Sequence, residues 1–308
     1  MKIFCRRIII NKPEVLKSKG PLLIASNHPN SFLDAIIIDI IFEQPVYSLT
    51  RGDVFINPFV TRILSALKML PVYRVSEGVE NLSTNYATFK SCKDIFKRNG
   101  VVQIFSEGLC INEWHLRPLK KGTARLALST WEDGIDLKVL PIGINYSSFK
   151  RSGKNIFINA GRFIMKNDIE SKYADGKKHK LFNDILQEQL SQLVFEIKKD
   201  DRQKQELLME KRSSFLKRVI LFLPAVAGWL LHFLFYLPLK MMAEKKAGHN
   251  DHYDSVLMVL LLFTYPFYIL FITLLVFKFS NHWSSVLLFL LFPLTAWAYV
   301  QLKPQLDK

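Results

Sequence analysis

A chain of 308 residues that is 49% hydrophobic and carries a formal net charge of +15 is too apolar for a purely soluble protein and leaves room for one large or two modest domains. The charge is read as directed toward a membrane, and no nucleic-acid partner is expected. Cys5, Cys92 and Cys110 stand singly without C-x-x-C spacing, which argues against a disulfide framework or a zinc site; no metal is expected.

The N-terminus, MKIFCRRIIINKPEVLKSKG, has only a short apolar stretch before it turns basic. It does not read as a cleavable signal, so the N-terminal part is expected to stay on the cytoplasmic side. LLIAS (22–26) reads as a strand, Asn27 to Leu33 as a turn, and Asp34 as the start of a helix carrying the apolar run AIIIDII. PVYSL (45–49) and LPVYRV (70–75) are strands flanking a helix in NPFVTRILSALKM. Within 79–98, Leu82, Tyr86, Phe89, Cys92 and Phe96 recur at three- and four-residue intervals and form one apolar stripe that would lie on a sheet. VVQIFS (101–106), LKVLPIGIN (137–145) and NIFINAGRF (155–163) complete the strands, and GTARLALST is a helix between the first two of these. Strands and helices in this alternation make an α/β domain over residues 1–165.

Residues 166–180 are a polar loop. A second amphipathic helix follows, with Phe182, Leu186, Leu190, Leu193 and Ile197 on one face, and dissolves into KKDDRQKQE; 166–217 is therefore read as helix plus solvated connector. The remainder, 218–308, holds three apolar segments starting at Val219, Ser255 and Trp283, each close to the ~20 residues a helix needs to cross a bilayer. Three full crossings would place Lys240, Lys245, Lys246, Lys303 and Lys308 outside and only Lys278 in the cytoplasmic loop, inverting the positive-inside bias. Pro224, Gly228 and Pro238 break up the first segment, so a re-entrant or interfacial hairpin at 219–239 followed by two spans is expected, with three spans as the alternative.

The stretch SNHPNSFLDA places His28 where a strand ends, at the kind of sheet edge where open α/β folds bind ligands. Asp34 is near enough to fold back and accept a hydrogen bond from Nδ1–H, leaving Nε2 to take a proton as a general base. Taken alone, the pair reads as a satisfied turn histidine and a helix cap, and only the rest of the chain overturns that.

Four blocks in order, N-H-P-N-S-F-L-D from Asn27, P-V-Y-R at 71–74, F-S-E-G at 105–108 and L-P-I-G at 140–143, resemble the glycerolipid acyltransferase family, which includes 1-acylglycerol-3-phosphate and glycerol-3-phosphate acyltransferases. The resemblance covers about residues 20 to 145. It implies a mixed sheet flanked by helices and a membrane-bound enzyme that moves a fatty acyl group from an acyl thioester to a hydroxyl of glycerol 3-phosphate or its monoacyl product. It implies His28 as base, Asp34 as its orienting partner, and Asn30, Glu107 and Gly108 in the acceptor site. Acyl-coenzyme A or acyl carrier protein would be the donor substrate, membrane lipid the surroundings, and no cofactor is needed. Two departures stand out. Five residues, Pro29 to Leu33, separate His28 from Asp34 instead of the usual four, as in a branch with N-H-x-N-x-x-x-D. Leu109 and Cys110 occupy the place of the family's Thr-Arg, so the phosphate-holding cation passes to Arg74, Arg117, Lys120 or Lys121.

Other classes fit less well. No G-x-S-x-G elbow and no cluster of metal ligands points to a lipid hydrolase, and a non-catalytic scaffold would not need both His28 and Asp34. The acceptor could instead be an amino-acid lipid or another lysolipid. His115 has no evident partner and His232 lies in an apolar segment; neither is read as catalytic.

Overall fold

The computed structural model describes residues 3–73, 82–170 and 177–307. Seven strands form one sheet: β1 (Cys5–Ile10), β2 (Leu22–Ser26), β3 (Val46–Arg51), β4 (Met69–Val72), β5 (Val101–Phe105), β6 (Lys138–Tyr146) and β7 (Lys154–Ala160), in the order β1-β7-β6-β2-β5-β3-β4. All neighbours are parallel except β6 and β7, which are joined by a short loop and run antiparallel. The sheet is thus mixed and flanked by helices. β1 is absent from the sequence reading because its partner β7 lies about 150 residues away, paired from Cys5–Lys154 to Ile10–Ile158, and CRRIII has no alternation of its own.

β2 is the pivot. Parallel pairing to β5 on one side and β6 on the other buries all five of its residues, as expected for a strand with no solvent face. Leu22 and Ile24 point to one side of the sheet, where α1 (Phe32–Ile41) contributes Leu33, Ile37 and Ile38. Leu23 and Ala25 point to the other, where they meet Cys92 and Phe96 of α3 (Leu82–Lys97) and Leu126 and Ala127 of α4 (Gly122–Glu132). Of the α3 stripe, Phe89, Cys92 and Phe96 pack on the sheet, Tyr86 is exposed and lines a cleft instead, and the Leu82 side chain lies outside the described residues. Between β3 and β4, α2 (Pro58–Ala66) starts at Asn57, whose side chain accepts from Phe59 N and Val60 N, with Pro58 in the first turn.

Residues 166–217 do more than connect. After α5 (Lys166–Glu170), α6 (Lys178–Leu193) buries Phe182, Leu186 and Leu190 in the same core as α3 and α4. Met209, at the end of α7 (Arg202–Met209), is fully buried in the core on the α1 side.

Three apolar helices end the chain: α8 (Phe215–Ala247), α9 (Tyr253–Ser280) and α10 (Leu288–Leu302), and each apolar segment is long enough to cross a membrane. The expected hairpin at 219–239 does not form. Pro224 and Pro238 are absorbed within one continuous 33-residue helix, about 50 Å long at the usual rise per residue. Gly228 lies where α8 touches α10; a Cβ there would collide with the Thr295 carbonyl. Both ends of α8 meet the sheet domain. Ser213, just before it, accepts from Arg6 Nη2 at 2.9 Å, and Leu239, Ala243 and Ala247 near its end join the core around α1. The chain beyond α10 returns to the same domain, where Ser147 Oγ donates to Gln305 O at 2.9 Å.

Candidate active site

β2 and β5 end level with each other, Ser26 lying opposite Phe105, while β6 runs on past Ile142, the partner of Ser26 on its other side, to Tyr146. Asn27 extends the pairing with its side chain, donating to Ile144 O at 3.0 Å and accepting from Ile144 N at 2.7 Å. This locks the point from which the 28–34 turn departs. Ser31 takes up the extra residue of the turn with a φ of 52°, and the Asp34 N–H closes back on Ser31 O at 3.1 Å. The bulge brings the expected pair together: His28 Nδ1 and Asp34 Oδ2 are 2.9 Å apart.

Asp34 is wholly buried and fully engaged. Besides His28, its Oδ2 accepts from Asn30 N at 2.8 Å and its Oδ1 from Tyr146 Oη at 2.7 Å. Three donors on one carboxylate hold it in place, aimed at the imidazole. Tyr146 is missing from the sequence reading, because nothing in LPIGINY announces that its hydroxyl points back across β6. The His28 ring stacks on Phe105, centroids 3.8 Å apart and planes 17° apart, so a second contact fixes its orientation.

Glu107 holds the turn from behind. Its two carboxylate oxygens accept from His28 N at 2.7 Å and Arg117 N at 2.8 Å, tying the end of β2 to the loop before α4. Burial raises its pKa, and the two amide bonds oppose that shift. Gly108, at φ +64°, adopts a conformation that favours glycine, and a Cβ there would stand 3.1 Å from Lys120 Cγ.

Several expected substrate contacts lie elsewhere. Asn30 is wholly buried and donates to Asp254 Oδ2 at 2.7 Å, so it serves the scaffold rather than facing a ligand. Arg117 does not line the cleft; its guanidinium pairs with Glu113, four residues back on the same loop. Arg74 lies outside the described residues. His115 pairs with Glu196 at 2.7 Å, and His232 contacts Gly228 O and Tyr265 Oη; neither borders the cleft.

The cleft in front of His28 has a volume of about 1950 Å³. Phe32, Leu49, Leu64, Met69 and Phe89 give it an apolar interior, and Lys120, Lys121, Arg125 and Lys90 stand along its walls without an ion pair among the described residues. Cys110, in place of the family's arginine, accepts from Ser31 N at 3.0 Å, and burial pushes its thiol well above the ordinary range, leaving it a neutral packing group rather than a nucleophile.

The loop joining α8 to α9 sits against this turn. Asp251 Oδ1 accepts from Asn112 N at 2.9 Å, His252 Nδ1 is 2.7 Å from Ser31 Oγ, and Ser255 Oγ accepts from Leu33 N at 3.4 Å. Beneath them Lys154 of β7, fully buried, pairs with Asp254. No sequence signal marks these contacts.

Among curated proteins none matches the chain. Among solved structures it is similar to the 1-acyl-sn-glycerophosphate (LPA) acyltransferase PlsC from Thermotoga maritima, at 13% identity and a TM-score of 0.46, over 68% of this chain and 76% of that one. Residues 7–145, from within β1 to within β6, match the family model described as Acyltransferase. This stretch, which carries the His28–Asp34 turn, the Glu107 anchor and the cleft's cationic wall, is an acyltransferase-family domain, and it gives the chain the fold and the residues of an acyltransferase.

Proposed function

We propose that the enzyme transfers a fatty acyl group from a thioester donor, acyl-coenzyme A or acyl carrier protein, to a hydroxyl of glycerol 3-phosphate or 1-acylglycerol 3-phosphate at a membrane surface. The observation that carries this reading is the 2.9 Å contact between His28 Nδ1 and a buried, triply hydrogen-bonded Asp34 at the mouth of a largely apolar cleft. Asp34 holds the proton of the imidazole on Nδ1, which leaves Nε2 to accept one. In the proposed step the acceptor oxygen forms a bond to the thioester carbonyl carbon, its proton passes to His28 Nε2, the C–S bond breaks, and His28 returns the proton to the leaving thiolate. Transfer is direct, with no acyl-enzyme. The apolar interior of the cleft suits an acyl chain, and the unpaired Lys120, Lys121 and Arg125 suit a phosphate. The catalytic domain is assigned to the cytoplasmic side of a multi-pass membrane anchor.

Purified protein in detergent, given labelled acyl donor and offered each acceptor in turn, tests the reading. Acylation of a phosphorylated glycerol with loss of rate on its dephosphorylated analogue is the expected result; equal rates on both, or transfer only to an amino-acid lipid, would contradict the acceptor assignment.

A further inference from the structure

The corner between α8 and α9 belongs to none of the family blocks, yet it closes one wall of the cleft: Asn250, Asp251 and His252 border it beside His28, Ser31 and Cys110. His252 is pinned there at two points. Its backbone N–H donates to Asn250 Oδ1 at 3.0 Å, and its Nδ1 engages Ser31 Oγ at 2.7 Å. Ser31 is itself held by its N–H on Cys110 Sγ, within the bulge that makes the His28–Asp34 contact possible. With Nδ1 committed, Nε2 is the polar atom of the ring left over, and it has no hydrogen-bond partner among the described residues. Burial lowers the His252 pKa from its ordinary value; Asp251 opposes the shift, while Arg51 and His28 add to it. A neutral ring accepting the Ser31 hydroxyl proton on Nδ1 carries its own proton on Nε2, an N–H donor at the cleft wall one turn residue away from the base's own segment.

Attack on a thioester places negative charge on the carbonyl oxygen, and a donor fixed in advance at that point is worth most in a water-poor site. Three backbone donors of the turn are already taken: the His28 N–H by Glu107, the Asn30 N–H by Asp34 and the Ser31 N–H by Cys110. We propose that His252, contributed by the helix corner, is a second substrate-contacting imidazole of the acyl-transfer site, its Nε2–H donating to the acyl carbonyl oxygen while His28 takes the acceptor's proton. His252 keeps its proton throughout. The inference rests on the acyl-transfer reading and adds a residue to it.

Two amide variants separate this role from a merely structural one. His252→Asn can hold Ser31 from the position of Nδ1 but lacks a group at Nε2; His252→Gln reaches the Nε2 position and releases Ser31. In detergent-purified enzyme, His252→Asn is expected to lower kcat by about 10²-fold, the order seen when one oxyanion donor is removed, with both KM values within about twofold and Tm unchanged. His252→Gln is expected to retain more kcat than His252→Asn. An Asn variant with wild-type kcat, or Gln falling below Asn, would overturn the inference and leave His252 as a brace for Ser31. If either amide variant fails to fold, 3-methylhistidine at position 252, which blocks Nε2 alone, decides the matter: a fall in kcat supports the role and an unchanged kcat removes it. Wild-type protein inactive on every thioester would overturn the acyl-transfer reading together with this inference, whereas active wild type with an unaffected Asn variant would overturn this inference alone.

Discussion

At the scale of single residues the site is a chain of acceptors, each occupied by the donors its position calls for. Asp34→Asn leaves one amide oxygen for three donors and turns an NH₂ toward one of them, so the ring of His28 loses its tautomer control; kcat is expected to fall about 10²–10⁴-fold with the protein still membrane-extractable and folded. Glu107→Gln puts an NH₂ against either the His28 or the Arg117 backbone N–H, a buried mismatch expected to cost about 1–3 kcal/mol, read as a lowered Tm, with lost activity. Lys120→Ala is expected to raise acceptor KM while leaving donor KM near its original value, and Arg117→Ala, whose guanidinium serves Glu113, to leave acceptor KM nearly unchanged. The reverse pattern in steady-state kinetics would return the phosphate to Arg117. His28 and Asp34 were legible because six residues of local spacing and one turn bring them together. Arg117, Asn30 and Tyr146 were not, because which way each side chain points is decided by the partner it finds in the folded chain, Glu113, Asp254 and Asp34 respectively.

At the scale of elements, the first turn of helix α9 reaches into the catalytic core, Ser255 meeting the Leu33 N–H and Asp254 supplying a buried carboxylate. Asp254, in its first turn, holds both Lys154 and Asn30 out of water. Asp254→Ala strands a buried ammonium, and a loss of about 3–5 kcal/mol is expected, measured as a fall in Tm of the detergent-solubilised protein. The double variant Lys154→Met with Asp254→Leu should recover most of that stability, since both buried charges go together, but not the full kcat, because Asn30 remains without its partner. Full recovery of kcat would show that Asn30 needs no tether. Strands with strong β-branched or alternating runs, and the α3 and α6 stripes, were visible in sequence because a sheet or helix face declares itself within a few residues. β1 was not, its signal residing in a partner strand far along the chain, and the docking of the α8–α9 corner was hidden because hydropathy reports the length of an apolar segment and says nothing about the polar residues that terminate it.

At the scale of the whole molecule, both ends of α8 and the chain after α10 gather on the sheet domain, while the turn between α9 and α10, with Trp283 and Leu287 exposed, does not. We propose that α8, tethered to the sheet domain at both ends, stays on that domain's side of the membrane, with α9 and α10 as the crossing pair; Lys245, Lys246 and Lys303 then lie on the catalytic side, in keeping with the positive-inside bias that an internal hairpin was invoked to satisfy. With Cys5, Cys92 and Cys110 replaced, a cysteine at Asn281 should be labelled by an impermeant reagent from the non-cytoplasmic side and one at Lys246 should not; labelling at 246 would make α8 a true span. These placements matter to the chemistry because the same corner that anchors the membrane helices braces the catalytic turn. The account stands or falls on His28. In an assay with labelled acyl thioester and a phosphorylated glycerol acceptor, His28→Ala is expected to lose at least about 10²-fold in kcat at unchanged Tm and membrane extraction; turnover within a few-fold of wild type would contradict the account.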